Sequence, residues 1–449
     1  MSSSLNPSPA ASATRRTFLK QATTATAIVA TGQILKTPVY GQNQAPSPGR
    51  VLGANDRMVV GIIGLERGRA HISGHLAVKN VEVGCVCDVD STRLANGKKI
   101  VEGKQTGRAV KDVTDFRRML EDKSIDAISI ATPNYWQAMM TVMGCQAGKH
   151  VYVEKPGSHN PAEAEAMVAA AQKYGRQVQM GNQRRSYPTI VEGIQRLHAG
   201  AIGRVLYSRT WYKAARPSIG RSKGSPVPAT IDYALWQGPI PERPYQDNLV
   251  HYNWHWVWAY GGGELANNGI HYLDISRWGL GVEYPKRVAF LGGRYHFTDD
   301  QETPDTGSVV YDFGSSGASW DFSSCNPRKG EQTPAIAFYG DKGSLLLSGA
   351  NDYSILDMDG KEVEKKADGK GSDVPHFQNF ADAVREGKPL NSPISEGQKS
   401  TMLCHLGNMA HRVGHSLRLN PETRQVRDDR ANDRPEREAR AVNLSNLQG

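Results

Sequence analysis

No stretch of this 449-residue sequence is apolar for long enough to span a bilayer, and no internal repeat is visible. Cysteine is scarce. The five present (Cys85, Cys87, Cys145, Cys325 and Cys404) are odd in number and lack metal-ligand spacing, so no metal is expected. Cys85 and Cys87 lie two apart on an expected strand and share one face, which excludes a Cys-x-x-Cys redox pair. All five read as small buried hydrophobes. There is also no concentrated charge of one sign. A net charge of +9 is modest for this length, and Lys and Arg are interleaved with Asp and Glu. A solvated mixed surface is expected, with no nucleic-acid partner. With 39% hydrophobic and 22% charged residues, the chain has the composition of a soluble globular protein with room for two domains.

The first residues read as an address. Thr14-Arg15-Arg16-Thr17-Phe18-Leu19-Lys20 fits a twin-arginine export signal, with a weakly apolar stretch from Ala22 to Leu35 behind it. Residues 1–41 are therefore assigned as a signal peptide ending near Val39-Tyr40-Gly41, and 42–56 as a linker. The expected destination is the periplasm, or another extracytoplasmic space, reached in the folded state, with no membrane attachment after export.

From Met58 onward, short β-branched runs alternate with helical stretches. Met58–Ile63, Val81–Cys87, Ile125–Ala131, His150–Glu154 and Gln177–Met180 are near-continuously apolar, which suits strands buried on both faces of a parallel sheet. Between the last two, Asn160-Pro161 supplies a cap and a first-turn proline, and Gly175 a stop. Residues 57–181 thus read as a doubly wound α/β domain of the Rossmann type. Past Asn182, strands at 203–213, 286–297, 307–313, 317–323, 335–339 and 344–348 follow one another through Gly-rich turns. This predicts a second, α+β domain over 182–415 with an open, largely antiparallel sheet. Helices near 269–280, 376–386 and 395–413 would cover one face. Residues 416–449 read as a charged tail.

Gly61-Ile62-Ile63-Gly64-Leu65-Glu66-Arg67-Gly68-Arg69 lies between the first strand and the first helix, where a pyrophosphate meets backbone amides at a positive helix end. Gly64, Leu65, Arg67 and Gly68 are the candidate contacts. Glu66 stands where a second glycine is expected, and its carboxylate should turn outward, screened by Arg67 or Arg69. Asp88 ends the second strand and can accept both adenosine ribose hydroxyls; the same charge would repel a 2′-phosphate, which favours NAD over NADP. Thr132, Pro133 and Asn134 end the third strand, and Glu154 and Lys155 the fourth. All sit at the carboxyl edge of the sheet, where open α/β folds bind ligands. A lysine there can hydrogen-bond a reacting hydroxyl.

Glu154-Lys155-Pro156, Ala131-Thr132-Pro133-Asn134 and the run Gly263-Glu264-Leu265-Ala266-Asn267-Asn268-Gly269-Ile270-His271-Tyr272-Leu273-Asp274 together resemble the Gfo/Idh/MocA oxidoreductases, over roughly residues 57–415. The resemblance implies a Rossmann domain plus an open-faced sheet that pairs copies into homodimers or homotetramers, with Lys155 and His271 as catalytic residues. It also implies hydride transfer between NAD and a secondary alcohol of a sugar, glycoside or cyclitol. An imidazole suits the base that alcohol oxidation requires. Asn267 and Asp274, at i−4 and i+3 from His271, would share its helix face and orient it. Inositol dehydrogenase-like members carry aspartate where this chain has Asn267, and Tyr135-Trp136-Gln137 departs from the family's usual Asn-His-x-His. Arg184 and Arg185, together with Trp254 and Trp256, are candidate substrate contacts, the indoles because aromatic faces bind sugar C–H faces. His405 reads as packing.

Outside the cytoplasm no soluble NAD pool is expected, so the cofactor should enter before export, stay bound and be regenerated in place. Either a second substrate takes the hydride, or a transient oxidation is followed by glycoside cleavage or epimerisation with no net redox change. The competing class is a non-catalytic nucleotide- or sugar-binding protein, favoured by Glu66 and Asn267.

Overall fold

The computed structural model describes residues 57–349, 351–369 and 371–428. The twin-arginine segment, the linker and the tail from 429 lie outside the described residues. Strand β1 (Met58–Ile63) is buried throughout, as its unbroken apolar run requires, and leads into helix α1 (Gly68–Leu76). There follow β2 (Val81–Cys87), α2 (Ser91–Glu102), β3 (Lys111–Val113), α3 (Phe116–Glu121), β4 (Ala127–Ile130), α4 (Asn134–Gln146), β5 (His150–Val153), α5 (Pro161–Tyr174) and β6 (Val178–Met180). These six strands form one sheet in the order β3-β2-β1-β4-β5-β6, with every pair parallel. The order reverses at β1, so a crevice opens beyond the carboxyl ends of β1 and β4. The α5 signals act as read: the Asn160 side chain accepts from the Glu163 amide at 2.9 Å, and Gly175 ends the helix at φ +59°.

Helix α6 (Pro188–His198) leads to β7 (Val205–Lys213), after which the chain leaves the sheet for more than seventy residues. That excursion holds α7 (Tyr233–Gln237), a 3₁₀ turn at Asn253–Trp256, a π-helical turn at Leu265–Gly269 and α8 (Ile270–Leu280). The sheet resumes with β8 (Arg287–Gly293), β9 (Thr306–Asp312), β10 (Gly317–Ser323), β11 (Ile336–Gly340), β12 (Ser344–Leu347), β13 (Asp352–Leu356) and β14 (Glu362–Ala367). Then come α9 (Val374–Glu386), α10 (Ile394–Val413), β15 (Leu417–Leu419) and β16 (Val426–Asp428). The ten strands run β14-β13-β12-β11-β7-β10-β9-β8-β15-β16, antiparallel except where β7 meets β10. The two last strands carry the sheet past residue 416, into the segment read as a tail.

Alternation along β9 and β10 places Val309, Tyr311, Trp320 and Phe322 against α8 and α10, while Val310 and, on β8, Leu291 face outward. One apolar core runs from Ile128 and Trp136 through Tyr260 and Leu265 to Trp320, so the two domains share their interior. A strap from the excursion also crosses onto the first domain. Ile231 bridges Asp90, Ser91 N–H donates to Thr230 O at 2.9 Å, and Asp232 N–H donates to Val89 O at 2.9 Å. Farther along, the Trp236 carbonyl accepts from Trp136 Nε1 at 3.1 Å and from the Tyr135 hydroxyl. Four cysteines are buried; Cys325, expected among them, is half-exposed beside Thr306 and Ser323.

Candidate active site

An open cavity of about 430 Å³ lies at the carboxyl ends of β1, β2, β4 and β5 and is roofed by the excursion. Its floor at one end is the turn after β1. Gly64 adopts φ +83°, and a Cβ there would stand 2.7 Å from the Ala131 carbonyl oxygen, so this position demands glycine. The Ala70 amide in the first turn of α1 bonds the Arg67 carbonyl oxygen at 2.9 Å, and the amides before it precede any helical carbonyl that could accept them. Beside them Asp88 is held by backbone donors: Leu65 N–H to Oδ2 at 2.7 Å and Asp90 N–H to Oδ1 at 2.9 Å. Burial pushes its carboxyl up to about 6, although those two amides pull the other way. The turn, the free helix end and an acid with unused lone pairs fit a dinucleotide's pyrophosphate and ribose.

Glu66 does turn outward, half-exposed, and is paired with Arg69 at 2.8 Å and with Arg93. Arg67, the other expected screen, turns inward instead. Its Nε donates to Glu154 Oε1 at 2.9 Å and its Nη2 to Asp373 Oδ2 at 3.2 Å. Glu154 lines the cavity, but its carboxylate is occupied from within the protein. Oε1 also meets His71 Nε2 at 3.0 Å and Gln183 Nε2 at 3.2 Å, and Oε2 accepts from the Lys155 amide at 3.1 Å. Burial alone would raise this carboxyl; Arg67, His71 and Lys155 outweigh it and hold it well below the usual range. Glu154 therefore acts as a buried anchor between the Gly turn and Lys155. The hydrogen-bonded chain continues from His71 through Ser129 to His75, at 2.9 and 3.1 Å.

Thr132, Pro133 and Asn134 line the wall, with Asn134 opening α4. Gln137 ties two loops of the site: its amide donates to Thr132 O at 3.0 Å and accepts from Gly157 N–H at 2.9 Å. Lys155 reaches across to the second domain, where Nζ donates to Asn267 O at 2.7 Å and Asn267 Oδ1 at 3.2 Å. Two of its three protons are so engaged and one is left for a ligand. Burial lowers its pKa against the opposing pull of Glu154 and Glu264. His271 lines the same cavity from the first turn of α8. Burial, then Lys155 and Arg184, hold its imidazole well below its ordinary value, so it is neutral at rest.

Five sequence expectations are corrected here. Asn267 lies in the π-helical turn and serves Lys155, not His271. Asp274 does not line the cavity: both its oxygens accept from Arg185 Nε, at 3.0 and 2.8 Å, and Oδ1 also accepts from Ser400 at 2.6 Å. A buried guanidinium needs a buried carboxylate, and that demand turns Asp274 away from His271. Arg185 is correspondingly unavailable to a substrate. Arg184 stacks over Tyr272 at 4.9 Å, also outside the lining. Of the two indoles, Trp254 lines the cavity, while Trp256 is buried beneath Arg216, whose guanidinium lies 4.8 Å from its ring.

The excursion brings in residues that the sequence reading passed over. Arg216 pairs with buried Glu264 and donates to the hydroxyls of Tyr252 at 2.9 Å and Tyr212 at 3.1 Å. His255 lines the cavity beside Tyr252. At the far end His251 meets Asp90 at 3.0 Å, beside the Asp88 turn. No group of three or more His, Cys, Asp or Glu able to hold a metal ion occurs among the described residues.

Residues 58–182 match the NAD-binding Rossmann fold of an oxidoreductase family, and residues 211–291 match the C-terminal alpha/beta domain of the same family. A glycosyl hydrolase family 109 protein of Shewanella baltica is 32% identical over 170 residues, which are 35% of this chain and 37% of that protein. A scyllo-inositol 2-dehydrogenase (NAD(+)) of Bacillus subtilis is 24% identical over 310 residues, 65% of this chain and 76% of that protein. The chain spans 62% and 37% of the lengths of the first two curated relatives it matches. Among solved structures, the WlbA dehydrogenase of Chromobacterium violaceum, crystallised with NADH and UDP-GlcNAcA, superposes with a TM-score of 0.65 at 18% identity. That overlap covers 83% of this chain and 99% of WlbA, a likeness of fold.

Proposed function

We propose that this chain, whose residues 58–182 and 211–291 match the two domains of the Gfo/Idh/MocA oxidoreductases, moves a hydride between a retained NAD and a secondary alcohol of a sugar, glycoside or cyclitol. The observation that carries this reading is that Lys155 and His271, from different domains, line one cavity with the Gly64–Asp88 turn. When bound, NAD supplies the hydride acceptor. The chain's own residues do the rest. The remaining Lys155 proton binds the substrate oxygen and stabilises charge as it develops there. The neutral imidazole of His271 takes the hydroxyl proton. Asn267 fixes the ammonium, and Glu154 holds the Lys155 backbone. Asp88, ionised above about pH 6, accepts the ribose hydroxyls and opposes a 2′-phosphate, which favours NAD over NADP.

A redox-neutral version, in which the hydride returns to the substrate after glycoside cleavage or epimerisation, is favoured by the strap. His251, Tyr252 and Trp254 line the roof of the cavity over the cofactor turn, so a hydride taken up there can be returned to the substrate without release of the dinucleotide. The glycosyl hydrolase relative adds to this, as does the twin-arginine motif, since export would carry the folded protein away from any NAD pool. The outward sheet face with Leu291, Val310 and Tyr339 is the surface on which copies would pair.

The test is a screen of purified holoprotein with sugars, glycosides and inositols, following absorbance of the bound nicotinamide. At least one should reduce it, and Lys155→Ala should slow that reduction by about a hundredfold or more. A change that persists in Lys155→Ala, or none with any compound, refutes the assignment.

A further inference from the structure

Besides His271, two imidazoles line the cavity: His251 is paired with Asp90, and His255 has no part in the hydride or proton transfer. Its placement is elaborate. The ring stacks on Trp254 with centroids 3.6 Å apart and planes 20° from parallel. Nδ1 lies 2.6 Å from the Tyr252 carbonyl oxygen. A carbonyl only accepts, so Nδ1 carries the proton, and Nε2 is left with a lone pair and no proton. Among the described residues no protein group donates to that lone pair. The backbone is constrained as well: a Cβ at Gly261 would come within 2.7 Å of the His255 Cα and carbonyl oxygen.

Burial, with the positive charges of Lys155 and Arg216 nearby, pushes the ring down to about 3. It therefore stays neutral at any pH the protein meets. What it offers is a fixed, uncharged hydrogen-bond acceptor in the same cavity as a fixed donor, Lys155. A polyol presents hydroxyls that each donate and accept, and matches such a pair; a deoxy carbon leaves the lone pair bare, which a buried site penalises.

We propose that His255 is a specificity residue whose Nε2 accepts a hydrogen bond from a substrate hydroxyl other than the one oxidised. This rests on the oxidoreductase reading above and deepens it: the substrate must carry at least two hydroxyls, and one non-reacting hydroxyl is read by acceptance.

The experiment takes the compound from the screen that reduces the bound nicotinamide fastest, together with its monodeoxy analogues. The rate ratio of parent to analogue is measured in wild-type holoprotein and in His255→Phe, which keeps the aromatic stack and removes the lone pair. One analogue should be rejected about 10- to 100-fold by the wild type, and His255→Phe should bring that ratio close to one while leaving the ratios of the other analogues in place. A merely structural role would lower all rates together and keep every ratio. Gly261→Ala, which displaces His255 without altering its ring, should shrink the same single ratio and decides the matter if His255→Phe does not fold. Ratios unchanged in the variants, or no analogue rejected by the wild type, overturn the proposal. A wild-type holoprotein that no compound reduces overturns the oxidoreductase reading itself.

Discussion

Replacing Asp274 by alanine separates a structural role from a catalytic one. The Asp274 carboxylate is 2% exposed and that of its partner Arg185 only 6%, and three N–H···O contacts of 2.8 to 3.0 Å join them. Asp274→Ala leaves a guanidinium sealed from water without its hydrogen-bonded counter-charge, a loss of about 3–5 kcal/mol. Each kcal/mol corresponds to roughly 2–4 °C in a domain of 150–250 residues, so the apparent Tm should fall by about 10 °C, read by scanning fluorimetry. The rate of bound-nicotinamide reduction at 20 °C, per folded holoprotein, should fall by less than about tenfold, well short of the 10²–10⁴ expected for losing acid–base help. A double variant, Arg185→Met with Asp274→Leu, should recover much of the Tm, because well-packed apolar residues often replace a buried ion pair without loss. If Asp274→Ala keeps its Tm within about 2 °C and loses more than about a hundredfold in rate, the carboxylate serves His271 after all and the structural account is wrong.

Two further outcomes follow from the cofactor turn. Asp88 is ionised above about pH 6, so NAD retention, measured by native mass spectrometry after dilution, should weaken as the pH falls from 7.5 to 5; Asp88→Asn should hold NAD about tenfold more weakly at pH 7.5 and lose the pH dependence, and an unaltered slope in that variant would disprove the assignment. Gly64→Ala places a methyl against the Ala131 carbonyl at φ +83°, so it should purify largely free of NAD while Lys104→Ala, on the exposed surface, does not; full occupancy in Gly64→Ala would show that the turn relaxes.

The first sheet was legible because five of its six strands are continuous apolar runs. The sixth, β3, is Lys111-Asp112-Val113 at the sheet edge, where both faces meet solvent and no periodicity is imposed. Strand β15 was hidden in the same way: Leu417 and Leu419 are buried around an exposed Arg418, an alternation three residues long inside a charged segment. In the site, Thr132, Pro133, Asn134 and Lys155 from the strand ends and His271 from the Gly-x-His run line one cavity. Asp274 was misread because helical spacing gives the face a residue occupies and says nothing of a buried arginine arriving from elsewhere. Arg216, Tyr252, His255 and Glu264 were missed because they belong to a long excursion with only short helical turns before α8, whose course is dictated by contacts with Val89, Asp90 and Trp136, a hundred or more positions earlier in the chain.

That long detour between β7 and β8 also decides how the molecule can be divided. Tyr135, Trp136 and Val89 are covered by residues numbered above 228, so a fragment ending at 181 would present aromatic rings to water and offer a sticky flank to its neighbours. Modular exchange of the nucleotide half for that of a cousin would have to import the crossing loop along with it.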